Sequence, residues 1–237
     1  MSLDLVLINE SAADRVRALK GIQDKNKILV HEIFASIQGE STYAGVPCIF
    51  VRTAVCHLRC TYCDTAHAFH DGKELSVDEI VEQVSVMGIP LVEITGGEPL
   101  LQPRTKELMK RLCDLGLTVL LETSGAVSIR DVDPRVRVIL DVKTPGSGES
   151  HRNVLANLDL LWPTCEVKFV ICDELDYCFA VDMVEKHKLR EKCTVLFSPE
   201  AERMSPATLA EWIIRDRMNV RFQIQMHKVL WGDKTGV

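Results

Sequence analysis

The chain has 237 residues, with 28 Lys+Arg against 34 Asp+Glu and a formal net charge of −6. Hydrophobic residues make up 46% and charged residues 26%, an ordinary balance for a globular chain long enough to bury a large core. The acidic surplus excludes nucleic-acid binding by bulk electrostatics, and apolar runs as short as Leu5–Ile8 exclude a bilayer-spanning helix, so neither partner is expected.

In chain order, residues 1–27 read as a polar N-terminal extension packed loosely on the surface, and residues 28–237 as a single domain. Within the extension, Ser11–Lys20 has the pattern of a short helix, with Ser11 as N-cap and Gly21 past its end. Ile28–Ile37 reads as extended and Cys48–Ala54 as a buried strand. Ser76 opens a helix whose Glu79 completes a capping box. Val77, Ile80, Val81, Val84 and Met87 form its apolar stripe, and Gly88 and Pro90 end it. Leu91–Thr95 is the next strand. Pro103 starts a helix with Leu108, Leu112 and Leu115 inward and Gly116 at its end. Strands follow at Leu117–Glu122 and Val136–Val142. A Gly/Ser loop leads to a helix near Asn153–Leu161, a strand at Glu166–Ile171 and a helix from Glu174 to about His187. The chain closes with a strand at Thr194–Phe197, a helix from Ser205 with Pro206 in its first turn, and a strand at Val220–Gln225. Short apolar runs alternating with amphipathic helices predict an α/β fold of right-handed βαβ units. There are too few units for a closed eight-stranded barrel, so the expected shape is an open, partial (β/α)6-type barrel of mostly parallel strands.

Nine cysteines, an odd number, with no basic n-region before Leu5–Ile8 and no cleavage site after it, read as reduced thiols or metal ligands in a cytoplasmic chain. Cys56, Cys60 and Cys63 form C-x3-C-x2-C directly after the first buried strand. Soft thiolates favour zinc or an iron–sulfur cluster. His57 and His67 keep a Cys3His zinc site open, while three thiolates alone suit a [4Fe–4S] cluster with one iron left for a small ligand. Cys48, Cys113, Cys165, Cys172, Cys178 and Cys193 are scattered through strands and helices and read as buried small hydrophobes. Gly96–Gly97–Glu98–Pro99, at the end of the next strand, brings side-chain-free backbone near any ligand held there.

The cysteine spacing, with Tyr62 before the last cysteine, and the Gly-Gly-Glu-Pro run resemble the radical S-adenosylmethionine superfamily. The flanks narrow the resemblance: Ile37–Gln38–Gly39–Glu40–Ser41, Phe50–Val51–Arg52–Thr53, Cys63–Asp64–Thr65, Leu121–Glu122–Thr123–Ser124–Gly125, Asp141–Val142–Lys143–Thr144–Pro145, Leu196–Phe197–Ser198–Pro199 and Gln225–Met226–His227–Lys228. In this order they look like the 7-carboxy-7-deazaguanine synthase family, from about Val30 onward. The resemblance implies ring contraction of 6-carboxy-5,6,7,8-tetrahydropterin to 7-carboxy-7-deazaguanine, with loss of ammonia, on the route to preQ0 and queuosine. It also implies a [4Fe–4S] cluster, S-adenosylmethionine and Mg²⁺ as cofactors, a reducing partner such as flavodoxin, and a homodimer. A glycyl-radical activating enzyme, which shares the cluster spacing, is the alternative.

Carried over residue by residue, Cys56, Cys60 and Cys63 match the cluster ligands. Tyr62, Cys63, Asp64, Gly97, Asp141, Val142, Lys143, Phe197, Ser198, Pro199 and Glu200 match S-adenosylmethionine contacts, and Thr65 the Mg²⁺ ligand, though an ordinary helix cap explains Thr65 equally on residue type. Ile37, Gln38, Gly39, Arg52 and Thr95 match substrate contacts. Glu40 and Glu122 are further candidates for the pterin nitrogens, His227 and Lys228 reach inward from the last strand, and Val237 at the chain end closes over the substrate.

Overall fold

The computed structural model describes residues 13–20, 26–232, 234 and 236; Ser11, Gly21 and Val237 lie outside them. Its strands are β1 (Lys27–Ile37), β2 (Pro47–Thr53), β3 (Lys73–Ser76), β4 (Leu91–Gly96), β5 (Thr118–Thr123), β6 (Arg137–Asp141), β7 (Glu166–Ile171), β8 (Thr194–Pro199) and β9 (Arg221–Phe222). Its helices are α1 (Arg17–Lys20), α2 (Val77–Met87), α3 (Arg104–Asp114), α4 (Glu174–Lys186), α5 (Leu189–Lys192), α6 (Pro206–Arg215) and α7 (Met226–Trp231).

One sheet runs in the order β3-β1-β2-β4-β5-β6-β7-β8-β9. From β2 to β9 every neighbouring pair is parallel, while β1 pairs antiparallel with both β2 and β3. This is the open parallel barrel expected from the sequence, extended at one edge by the antiparallel strands β1 and β3, of which the sequence reading omits β3.

The two-residue period of the strands sorts the side chains. Ile49 and Val51 on β2, Val92 and Ile94 on β4, Val119 and Leu121 on β5, Val138 and Leu140 on β6, and Val167 and Phe169 on β7 are buried in one hydrophobic core with the helices. The alternate positions turn to the concave face. There the same strands carry Arg52, Glu93, Thr95, Glu122, Asp141 and Lys168, all lining a cavity. Helix α2 begins as predicted: Ser76 Oγ accepts from Glu79 N at 3.2 Å and Glu79 Oε2 from Ser76 N at 2.7 Å.

Several local expectations are corrected. Leu115 is 57% exposed, because the helix ends at Asp114 and Leu115 already sits off its face; Met87, the last residue of α2, is exposed too. The segment 153–161 forms a 3-10 turn, Leu155–Asp159, where an α-helix was expected. Its Asn157 side chain is spent elsewhere, accepting from Ile129 N and donating to Gly125 O and Val127 O. The closing strand shrinks to Arg221–Phe222, and α7 takes over, so His227 and Lys228 lie on a helix. Cys178 is exposed and Cys193 half-buried, whereas Cys48, Cys113, Cys165 and Cys172 are buried as expected. Among described residues the expected Ser11–Lys20 helix is only α1, preceded by a turn, and it is not loose. Val16, Ala18 and Leu19 pack against Leu29, Ala54 and Val55.

Candidate functional site

The concave face and the loops at the C-terminal ends of the parallel strands enclose a cavity of about 550 Å³, ample for a nucleoside-sized ligand. At one end lies the cysteine loop. Val55, immediately before Cys56, is held at φ +75°, a costly conformation for a β-branched residue. The glycine turn clamps it there: Gly97 N donates to Thr53 O at 3.0 Å and Glu98 N to Val55 O at 2.9 Å. A Cβ on Gly97 would fall 2.2 Å from Val55 O, so the two backbones meet only because that residue is glycine. The Glu98 carboxylate is fully buried and binds Leu100 N, Thr123 Oγ1 and both N and Oγ of Ser124, locking the turn to the end of β5. Arg59 completes the loop. Its guanidinium donates to Cys56 O and Leu58 O and lies 4.1 Å from the Phe69 ring centroid, while its backbone N–H donates to Glu149 Oε1 at 2.7 Å. Arg15, from the N-terminal segment, reaches the same Glu149 oxygen and His57 O, both at 3.2 Å.

Cys56, Cys60 and Cys63 all line the cavity. Among the described residues the three cysteines form no group tight enough for one shared ion, which disfavours the Cys3His zinc reading and fits thiolates that each bind a different iron of a cluster. Burial pushes Cys56 up to about 12 and Cys63 up to about 11, and it raises Cys60. Thiolates form there only beside strong positive charge, as cluster iron supplies. The residues present therefore fit a cluster.

The other end is polar. Lys168 Nζ donates to Glu40 Oε2 at 2.6 Å, pairs closely with Glu122 Oε1, and lies 3.8 Å from Asp141 Oδ2. Burial alone would lower Lys168, but Glu122, Glu40 and Asp141 outweigh it and hold it well above the usual lysine value. Burial likewise opposes the charge of Glu122, yet Lys168 keeps it below the usual carboxylate range. Glu93, 3% exposed and bonded to Gln38 Nε2, is raised by burial and by the charge of Glu122. Lys143 pairs with Asp141 at 2.7 Å, and its Nζ stands 5.9 Å from the Tyr62 ring centroid. Tyr62 OH and Asp141 Oδ1 are buried without a hydrogen-bond partner, both on the cavity wall, as a polar ligand would need.

Most of the sequence-named residues line this one cavity: Ile37, Gln38, Gly39, Glu40, Arg52, Tyr62, Asp64, Thr65, Thr95, Gly97, Glu122, Asp141, Lys143, Glu200, His227 and Lys228. Val142 and Phe197 do not. Their side chains belong to the core, with Phe197 stacked edge-on against Phe169 and Tyr177, so only their backbone is left for a nucleotide. Ser198 and Pro199 are buried and off the lining. Val237 lies outside the described residues, though Lys234 and Gly236 line the cavity. Thr65 stands at the N-cap of the 3-10 turn Ala66–Ala68 but its side chain makes no cap bond; its hydroxyl donates to Asp64 Oδ1 at 2.8 Å. Gly39 lets α7 approach, since a Cβ there would lie 2.4 Å from His227 Nδ1. Arg52 Nε donates to Glu32 Oε1 at 2.7 Å. Sequence reading missed Lys168, Glu93 and Glu32. The available signal was a charge at every second position inside otherwise apolar strands, as in Val92–Glu93–Ile94 and Val167–Lys168–Phe169.

Residues 50–144 match the Radical SAM superfamily. The chain is 45% identical over 212 residues to 7-carboxy-7-deazaguanine synthase of Chlorobaculum tepidum, covering 88% of this chain and 96% of the relative. It is 39% identical to the protein of that name from Thermoplasma acidophilum, covering 89% and 100%. Among solved structures, QueE from Escherichia coli shares the fold with a TM-score of 0.71 at 23% identity, over 85% of this chain and 95% of that one. Streptococcus suis SuiB bound to S-adenosylmethionine gives 0.51 at 15% identity, over 71% and 44%. No helix among the described residues is long and apolar enough to cross a membrane.

Proposed function

This chain belongs to the 7-carboxy-7-deazaguanine synthase family, and from that premise we propose that its cavity converts 6-carboxy-5,6,7,8-tetrahydropterin to 7-carboxy-7-deazaguanine and ammonia. The observation that carries the reading is one cavity that joins three buried thiols at one end to an ordered set of carboxylates and lysines at the other. Cys56, Cys60 and Cys63 would hold a [4Fe–4S] cluster, which when bound supplies the electron that cleaves S-adenosylmethionine to a 5′-deoxyadenosyl radical.

The chain's own residues bind and orient. Gly97, Tyr62, Asp64, Glu200 and the Asp141–Lys143 pair are placed to receive S-adenosylmethionine, with Asp141 Oδ1 free to accept from an ammonium or ribose hydroxyl. Arg52 and Thr95, paired across β2 and β4, are placed for the substrate carboxylate and its neighbouring ring atoms. Glu122 and Glu40, both held by Lys168, accept from the N–H edge of the pterin, and Gln38 extends that edge toward Glu93. Ile37 and Gly39 supply wall and backbone beside them. His227 and Lys228 on α7 close the rim beside them.

Thr65 and Asp64 offer the hard oxygen ligands that Mg²⁺ prefers. Thr65→Ala should weaken Mg²⁺ stimulation and raise the substrate KM severalfold; Mg²⁺ titrations of both enzymes check this. A low-potential reductant such as flavodoxin supplies the electron, and the enzyme works as a homodimer in the cytoplasm.

The deciding experiment is anaerobic turnover with the carboxylated tetrahydropterin, S-adenosylmethionine, Mg²⁺ and reductant. Product and ammonia in equal amounts, with no accumulation of 5′-deoxyadenosine, support the reading. A cluster-loaded enzyme that cleaves S-adenosylmethionine without forming product overturns it.

A further inference from the structure

Beside the cavity, where Glu32 and His67 line its wall, three side chains converge: His31 and Glu32 on β1, and His67 on the 3-10 turn Ala66–Ala68 that follows the cysteine loop. One ligand atom from each lies within 4.8 Å of the other two, and no other His, Cys, Asp or Glu group among the described residues meets that condition. The tautomer of His31 is fixed in the useful sense. Its Nδ1 lies 2.7 Å from Asp71 O, which only accepts, so Nδ1 donates there and Nε2 is the ring nitrogen left for a ligand. The His67 ring stands 5.1 Å from the His31 ring, centroid to centroid, and its Nε2 is 4.0 Å from Glu32 Oε1, too far for a hydrogen bond. Arg52 Nε donates to that same Oε1 at 2.7 Å. Its bond orients the carboxylate and leaves Oε2 as a second donor atom.

We propose that His31, Glu32 and His67 bind one divalent transition-metal ion of the zinc type beside the cavity. Two imidazole nitrogens and one carboxylate suit zinc and its neighbours, and they disfavour Mg²⁺, which takes oxygen ligands. Three protein ligands leave a position for water or for an acidic group. Ligand atoms around a tetrahedral ion with bonds of about 2.0–2.1 Å stand roughly 3.4 Å apart, so the site closes by at most about 1.4 Å on binding. His67 is exposed on a three-residue turn and is the side chain that moves. The positive charge of Arg52 opposes the ion, which limits affinity; the bond it makes to Glu32 still holds one ligand in place.

The test uses the anaerobically reconstituted, cluster-loaded protein in excess Mg²⁺, dialysed against Zn²⁺. The expected result is one zinc per chain, with an X-ray absorption shell of nitrogen and oxygen at about 2.0–2.1 Å and imidazole scattering beyond it. His31→Ala and His67→Ala should each weaken zinc binding at least tenfold, with iron content and cluster absorbance unchanged to show that the variants fold. Three results would overturn the proposal: no zinc retained, equal retention in both variants, or a sulfur shell at about 2.3 Å placing the zinc on cysteines.

Discussion

At the cysteine end of the cavity, backbone grips backbone. Gly97 N holds Thr53 O, Glu98 N holds Val55 O, and every residue of the loop falls between Val55 and Thr65 in the chain. At the far end, side chains grip side chains across the whole sheet. Lys168 meets Glu40 from 128 positions away and Glu122 from 46. The first end tolerates strain at Val55 because rigid neighbours over-determine it; the second tolerates buried charge because each ion has a partner. A cluster needs fixed ligands, and a heterocycle with several N–H groups needs placed acceptors. The two halves of one cavity meet those needs by different means.

The comparison breaks first at the thiols. Replacing any one of Cys56, Cys60 or Cys63 by Ala should abolish turnover and remove most bound iron, with the circular dichroism of the parent retained. Iron analysis of each purified variant checks this, and a variant that keeps full iron and activity refutes the ligand assignment.

Lys168→Met attacks only the polar end. It takes the cation from Glu40 and Glu122 in a site where Lys168 is 5% exposed, so a stability loss of about 3–5 kcal/mol is expected, with a tenfold or larger rise in substrate KM. Iron content should hold. Denaturant melts, kinetics and iron analysis together decide, and loss of iron would show that the two ends are not independent.

Gly97→Ala is the matching test at the cysteine end. The added methyl meets a carbonyl oxygen at 2.2 Å and no rotamer relieves it, so about 1–3 kcal/mol and part of the iron should be lost. A variant with parental melting temperature and iron would mean that the turn does not position the loop.

The smallest effect concerns Glu93. Burial and Glu122 raise its folded value above the roughly 4.3 of an unfolded glutamate. Its stability contribution is thus fully present at low pH and lost as pH rises through the folded value. Glu93→Gln keeps an acceptor for Gln38 and has no proton to lose. Its melting temperature relative to the parent should climb as the pH rises above the unfolded glutamate value and through the raised folded one. A flat difference would show that Glu93 is ionised throughout.

Which parts were legible follows the same division. The cysteines, the glycine turn, the Ser76–Glu79 cap and the core stripes of the strands are local patterns, each complete within a few residues. Lys168 and Glu93 looked like single charges in apolar strands, because their partners arrive from other strands only when the sheet curls. The Asn153–Leu161 region has a helical composition, yet the amide side chains of Asn153 and Asn157 bind the backbone of the loops beside them, and the helix gives way to a 3-10 turn.

The sequence by itself determined the α/β order, the parallel strands, the three thiols and the loops that carry them, since periodicity and spacing are properties of the chain alone. Only the tertiary structure decided which alternate face became the cavity, which sorted Glu122 and Lys168 inward and Phe197 into the core. It also cut the last strand to two residues and seated the helix after it on Gly39, and it docked Arg15 beneath the cysteine loop. Those outcomes depend on what each side chain meets across the sheet, and a burial face is set by neighbours distant in the chain.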